Sequence, residues 1–250
     1  MQIYLSRFLM LLALLDFVAV SALELQQPPF RGTIFDFPDL MKESDPTAFK
    51  SIEFVESAER EMFDRRINRS QRFPTFVFKV EYSDRKPLEV AVNREFETVS
   101  AAQLQAERYA IAFGRLPLLL REEIDALHIQ AGNELFGGGR KVLIHTGQGE
   151  RYIKDGILEE TLAHEAGHAL DSKFANHPDW VAAQKKDAMF ISKYAEENPR
   201  REDIAESIVP YLAIRFRPDR IAKAQLETIT QSIPARIEFF DGLKPSGFPE

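Results

Sequence analysis

The chain has 250 residues, 44% of them hydrophobic and 28% charged, with 20 Phe and no Cys. Such a chain can bury enough apolar surface to offset its ordering entropy, so disorder is excluded, and its length suits one domain of ordinary size or one with a small appendage. Lys and Arg (32) against Asp and Glu (39) leave a net charge of −7, which makes nucleic acid and anionic membranes poor partners, and the lack of Cys excludes a disulfide scaffold, a thiolate-bound zinc and a thiol nucleophile.

Residues 1–22 read as a secretory signal. Arg7 supplies a positive start, 8–20 is an apolar run interrupted by Asp16, and Val20-Ser21-Ala22 offers small residues at a cleavage point after Ala22. The run is shorter than the ~20 residues a spanning helix needs. The expectation is a secreted, extracellular protein (periplasmic in a bacterium), with no membrane partner once the signal is removed. Without disulfides, packing and metal must hold an exported fold.

Residues 26–46 are rich in Pro, Asp and Phe and read as loop with short strand pieces. The apolar residues of 52–63 have helical spacing. Segments 76–82 and 88–92 alternate at period two around turn chemistry at 83–87, which predicts a β-hairpin. Residues 101–113 read as a helix stopped by Gly114 and Pro117, 125–130 as a strand, Gly137-Gly138-Gly139 as a flexible loop and 142–146 as a short strand. From Gly156 the pattern turns helical, over 157–174, 180–194, 199–216 with a kink at Pro210, 219–232 and 236–240. Strands first and a helix cluster second make an α+β fold. A soft boundary near residue 98 divides a hairpin-containing N-terminal region (23–98) from the remainder (99–250).

The chemistry concentrates in Leu162-Ala163-His164-Glu165-Ala166-Gly167-His168-Ala169-Leu170-Asp171. Residues four apart on a helix leave the same face one turn apart, so His164 and His168 can share one Zn²⁺. Glu165, beside the first ligand, is placed to take a proton from a water held there. Catalytic zinc needs a third protein ligand and an open position. A metzincin continuation fails, because Asp171 and Phe174 stand where Gly and His or Asp are required. A carboxylate on a later helix is available instead in Glu202-Asp203-Ile204-Ala205-Glu206. With Asn198 as N-cap and Pro199 opening the helix, Glu202 falls in its first turns, and Glu202 and Glu206 face the same way. One can bind metal while the other accepts a hydrogen bond from a ligand imidazole. Asp171, one turn past His168, can orient an imidazole or an adjacent helix. The lone histidines His145 and His177 read as structural or exposed.

His164-Glu165-x-x-His168-x-x-Asp171, Tyr194 and Glu202-x-x-Ala205-Glu206 together resemble the gluzincin zinc peptidases of the lethal-factor and Pro-Pro endopeptidase type, over about residues 100–250. The closing Pro234-Ala235-Arg236-Ile237-Glu238-Phe239-Phe240 also resembles their final helix. The resemblance implies a zincin-like catalytic domain over 99–250 with one Zn²⁺ on His164, His168 and Glu202. Glu165 is then the base and Tyr194 an assisting phenol. Tyr194 lies eight residues before Glu202, where the family spacing is seven. A phenol suits the role, since it can donate to an oxyanion as it forms.

The leading expectation is therefore a secreted zinc endopeptidase acting on peptides or proteins. A zinc-stapled binding module and a zinc hydrolase of a non-peptide substrate are the alternatives. Strand 142–146 is expected at the sheet edge beside the cleft, where an extended peptide adds by main-chain pairing. Residues 137–139 serve there as a lid or specificity loop, or simply as a turn.

Overall fold

Five strands form one mixed sheet in the computed structural model of the protein, which describes residues 27–250; the signal expected at 1–22 lies outside these residues. β1 (Phe49–Asp64) and β2 (Arg69–Tyr82) make a long antiparallel hairpin, and β3 (Leu88–Asn93) pairs antiparallel with β2 through the expected turn. α1 (Val99–Gly114) and α2 (Leu118–Arg121) then cross over to β4 (Ala126–Gln130), which runs parallel to β3. β5 (Lys141–His145) runs parallel to β4 at the sheet edge. Residues on both sides of position 98 thus contribute to a single sheet in the order β1-β2-β3-β4-β5.

After the sheet come α3 (Thr146–Lys154), α4 (Leu158–Phe174), α5 (Pro178–Lys186), α6 (Lys193–Glu197), α7 (Asp203–Phe216), α8 (Lys223–Ser232) and α9 (Pro234–Gly242). The architecture is α+β. Its core is built where Phe78 and Val90 of the sheet meet Phe113 of α1 and Leu162 of α4, all fully buried. Among the described residues no helix is long and apolar enough to cross a membrane.

Several expectations need correction. Residues 52–63, expected as a helix, belong to β1. Register shifts between Phe49 and Ser51 and between Phe54 and Glu56 break the two-residue alternation that would have marked a strand. The loop expected over 26–46 has strand character only in an isolated bridge of Phe30 with Ser192, and residues Ile34–Asp36, expected as a strand piece, form a 3₁₀ turn. Thr146, expected to end a strand, opens α3. The helix expected over 180–194 is two helices, because the chain leaves α5 at Asp187 and Ser192 caps α6 through Ala195 N at 3.0 Å. Residues 199–202 form a turn, so Glu202 is the N-cap of α7 and not a residue of its first turns. Pro210 lies inside an unbroken α7. The helix expected over 219–232 begins only at Lys223, after a 3₁₀ turn at Pro218–Arg220.

A buried ionic triad ties this helical region together. Arg236 donates Nε to Asp203 Oδ2 at 2.9 Å and Nη1 to Asp187 Oδ2 at 2.8 Å, with all three side chains wholly buried. Asp187 also accepts from the backbone N–H groups of Ala235 and Arg236 at the start of α9. Asp203 is the first residue of α7, so α9 anchors the end of α7 that carries Glu202. Arg236→Ala leaves two carboxylates buried without their cation. The expected cost is about 3–5 kcal/mol of unfolding free energy, read from denaturant midpoints.

Candidate metal centre

The site is assembled by the crossing of α4 and α7. A Cβ on Gly167 would stand 2.9 Å from Ala205 Cα and 3.3 Å from Ile208 Cγ2, so the two helices touch backbone to backbone at a position only glycine allows. Asp171 spans the same junction. Its carboxylate faces the backbone N–H groups of Ile204 (3.3 Å) and Ala205 (3.4 Å), the open donors at the start of α7, and stands 3.3 Å from His168 Nδ1. It thus lies between an imidazole and the neighbouring helix.

This contact brings Glu202 over the two histidines. Glu202 Oε2 lies 3.6 Å from His164 Nε2 and 3.6 Å from His168 Nε2, and the three ligand atoms fall within 4.8 Å of one another. Glu202 Oε2 is buried and has no hydrogen-bond donor. Two atoms each ~2.0–2.1 Å from one tetrahedral ion stand ~3.3–3.4 Å apart, so the spacing suits a shared cation, which would also satisfy the orphaned oxygen. His164, His168 and Glu202 therefore form a group that could hold a metal ion.

The surrounding residues fix these side chains. His168 Nδ1 stands 3.0 Å from the Arg201 carbonyl oxygen. Glu206 Oε1 lies 3.4 Å from His164 Nδ1, short of a well-directed hydrogen bond, while Glu206 Oε2 accepts from Thr33 N at 2.9 Å. The Thr33 hydroxyl donates to the Glu206 carbonyl at 3.0 Å. Thr33 is wholly buried and belongs to a strap, residues 30–33, whose Phe30 and Arg31 carbonyls accept from Lys193 N and Tyr194 N. Nothing in the local sequence signals this role for Thr33, 173 positions from Glu206. Tyr194 donates its hydroxyl to Glu202 Oε1 at 3.0 Å across the turn at 198–202. His145 lies buried in β5, its Nδ1 3.3 Å from the Leu135 carbonyl, and His177 caps α5; neither joins the group.

Glu165 Oε2 stands 3.9 Å from His168 Nε2 and faces a cleft of about 770 Å³ that also reaches Tyr194 and the Gly137–Gly139 loop. Gly138 is pressed onto α4, since a Cβ there would meet His168 Cδ2 at 2.3 Å and the Glu165 carbonyl oxygen at 2.4 Å. The loop also covers the expected peptide-binding edge. Gly137 N donates to the Leu143 carbonyl at 3.0 Å, and Leu143 N donates back at 2.8 Å. The outward groups of β5 are therefore already used at Leu143, and the cleft rim is the loop itself.

The electrostatics follow from four carboxylates around two imidazoles. Burial pulls His164 down, but Glu202 beside it and the charges of Glu165 and Glu206 prevail and push it up to about 9. Burial pushes Glu202 up, yet the neighbouring His164 and His168 and the Tyr194 hydroxyl hold it below the usual carboxylate range. Burial raises Glu165 against the pull of His164 and His168. Burial and then the charge of Glu202 push the Tyr194 phenol up to about 12, so it stays protonated and remains a donor.

The fold and site define an α+β protein with a buried His-His-Glu group open to a cleft and able to hold a metal ion. No family model matches the chain, and neither a curated protein nor a solved structure matches it.

Two outcomes follow from this geometry. Glu202→Ala removes a ligand, whereas Glu206→Ala removes only a buttress of His164, so elemental analysis should find the larger metal loss in Glu202→Ala. The expected fall in affinity for Glu206→Ala is about 10–100-fold. Because His164 is protonated below about 9 in the metal-free protein, metal loading at neutral pH must expel that proton. Calorimetric zinc titration in buffers of different ionisation enthalpy should report proton release, with apparent affinity climbing as pH rises towards 9.

Proposed function

We propose that this chain is a zinc-dependent endopeptidase with a zincin-like catalytic fold of the gluzincin kind, exported once residues 1–22 are removed. The observation that carries the reading is the single carboxylate oxygen of Glu202 equidistant, at 3.6 Å, from both imidazoles of a His-Glu-x-x-His helix. Glu165 beside them opens to the cleft. A purely structural zinc site has no use for such a carboxylate and usually closes its fourth position with His or Cys. Zinc on His164, His168 and Glu202 would acidify a water and polarise a carbonyl.

The remaining work falls to the protein's own side chains. Glu165, raised by burial, takes up the proton of the attacking water and returns it to the leaving amine. Tyr194, 43% exposed in the cleft and protonated, turns its one O–H from Glu202 Oε1 to donate to the carbonyl oxygen as that atom gains charge. Asp171 and Glu206 stand beside the Nδ1 atoms of His168 and His164, and Gly138 keeps the loop close over Glu165 without displacing it.

Incubating the zinc-loaded chain with a peptide library and reading products by mass spectrometry tests the proposal. Metal-dependent cleavage is expected, whereas zinc uptake without cleavage of any peptide would leave the binding module or a non-peptide hydrolase. Glu165→Gln should retain zinc and lose about 10²–10⁴-fold in kcat. Tyr194→Phe should lose up to about 10²-fold in kcat with little change in KM.

A further inference from the structure

Large apolar side chains are not scattered evenly over this surface. Of the nine that stand exposed among the described residues, four belong to the one cleft: Phe35 (67%), Leu135 (59%), Tyr194 and Phe63 (39%). They come from separate parts of the chain. Phe35 follows the strap, Phe63 sits near the end of β1 beside the hairpin tip, and Leu135 precedes the glycine loop. Exposed apolar groups gathered around a polar centre from three directions mark a binding surface.

The charges of the cleft have one sign once the metal centre is set aside. Its carboxylates, Glu165, Asp171 and Glu202, all belong to that centre. Beyond them the cleft is lined by Arg65, Lys141, Arg200 and Arg201, all exposed. Arg65, Lys141 and Arg200 have no carboxylate within 4.0 Å among the described residues, and Arg201 approaches only Glu202, at 3.8 Å. Arg65 reaches over the loop to the Phe136 carbonyl at 2.6 Å, whereas Arg200 and Arg201 belong to the turn before α7, where the Arg201 carbonyl stands 3.0 Å from His168 Nδ1. Cations thus line the cleft both at the loop and at that turn, in a chain whose net charge is −7. The overall charge would repel an acidic ligand, so its attraction needs a local cluster of cations such as this cleft provides.

We infer that the substrate is an acidic peptide segment with a bulky apolar residue beside the scissile bond and Glu or Asp residues on either side. The inference rests on the peptidase reading and specifies its substrate class. Phe35, Phe63 and Leu135 receive the apolar side chain, and the four cations pair with the flanking carboxylates.

The test is a set of peptides alike except at the flanking positions, which carry Glu, Gln or Lys, and at the central apolar residue, which is kept or replaced by Ser. All are presented to the zinc-loaded full chain. The Glu peptides should exceed the Lys peptides at least ~10-fold in kcat/KM at about 0.05 M salt, and the gap should narrow at about 0.5 M. The Ser peptides should be cut at least ~10-fold more slowly. Lys141→Glu and Arg200→Glu, both at exposed positions, should each reduce the Glu-over-Lys ratio. Equal or faster cleavage of the Lys peptides, or an unchanged ratio in both variants, overturns the inference and leaves the peptidase reading standing. Zinc uptake with no cleavage of any peptide overturns both.

Discussion

The contact between α4 and α7 at Gly167 and Ala205 is the constraint on which the site depends. Two histidines four residues apart can be arranged by one helix alone, but a third ligand must come from elsewhere. Here it comes from a helix end that can approach only because position 167 has no side chain. Asp171 reinforces the approach by meeting the free amides of α7 and one imidazole with the same carboxylate. Arg236 steadies that helix end from behind through Asp203. The site is therefore a property of helix packing, with Asp171 meeting a helix end and an imidazole at once.

Placing Glu165, Asp171, Glu202 and Glu206 around His164 and His168 is costly without a cation. Burial alone pushes Glu165 and Asp171 up, and His164 compensates by holding its proton more tightly. A divalent ion among the ligands would replace that proton and leave Glu165 as the group able to exchange one with the cleft. The same cluster accounts for the orphaned oxygen of Glu202, which has neighbours at ligand spacing and no donor.

The parts of this arrangement that are local in the chain were readable as letters. His164, Glu165 and His168 lie within one helical turn, and the β2–β3 hairpin alternates cleanly at period two. Legibility was lost where tertiary contacts overrule local pattern. The register shifts of β1 erase its alternation and leave a spacing that mimics a helix. α3 buries only Gly149 and Tyr152 and so has no apolar stripe to announce it. Glu202 was legible as a candidate ligand but was misplaced within its helix, because the turn before α7 is set by packing and not by Pro199. The strap could not be read at all, since Thr33 acquires its role only against Glu206. Nor could the edge of β5, which Gly137, six residues before Leu143, closes from the fold's own loop.

The strap has a consequence for how the protein matures. Thr33 leaves the ribosome long before Glu206, yet the buttress of His164 exists only once both are in place. Closing so long a span carries an entropic cost that the native contacts must offset. An incompletely folded chain would thus possess the histidine pair without its surrounding clamp. On the peptidase reading proposed above, hydrolytic competence would arrive only with the finished native state.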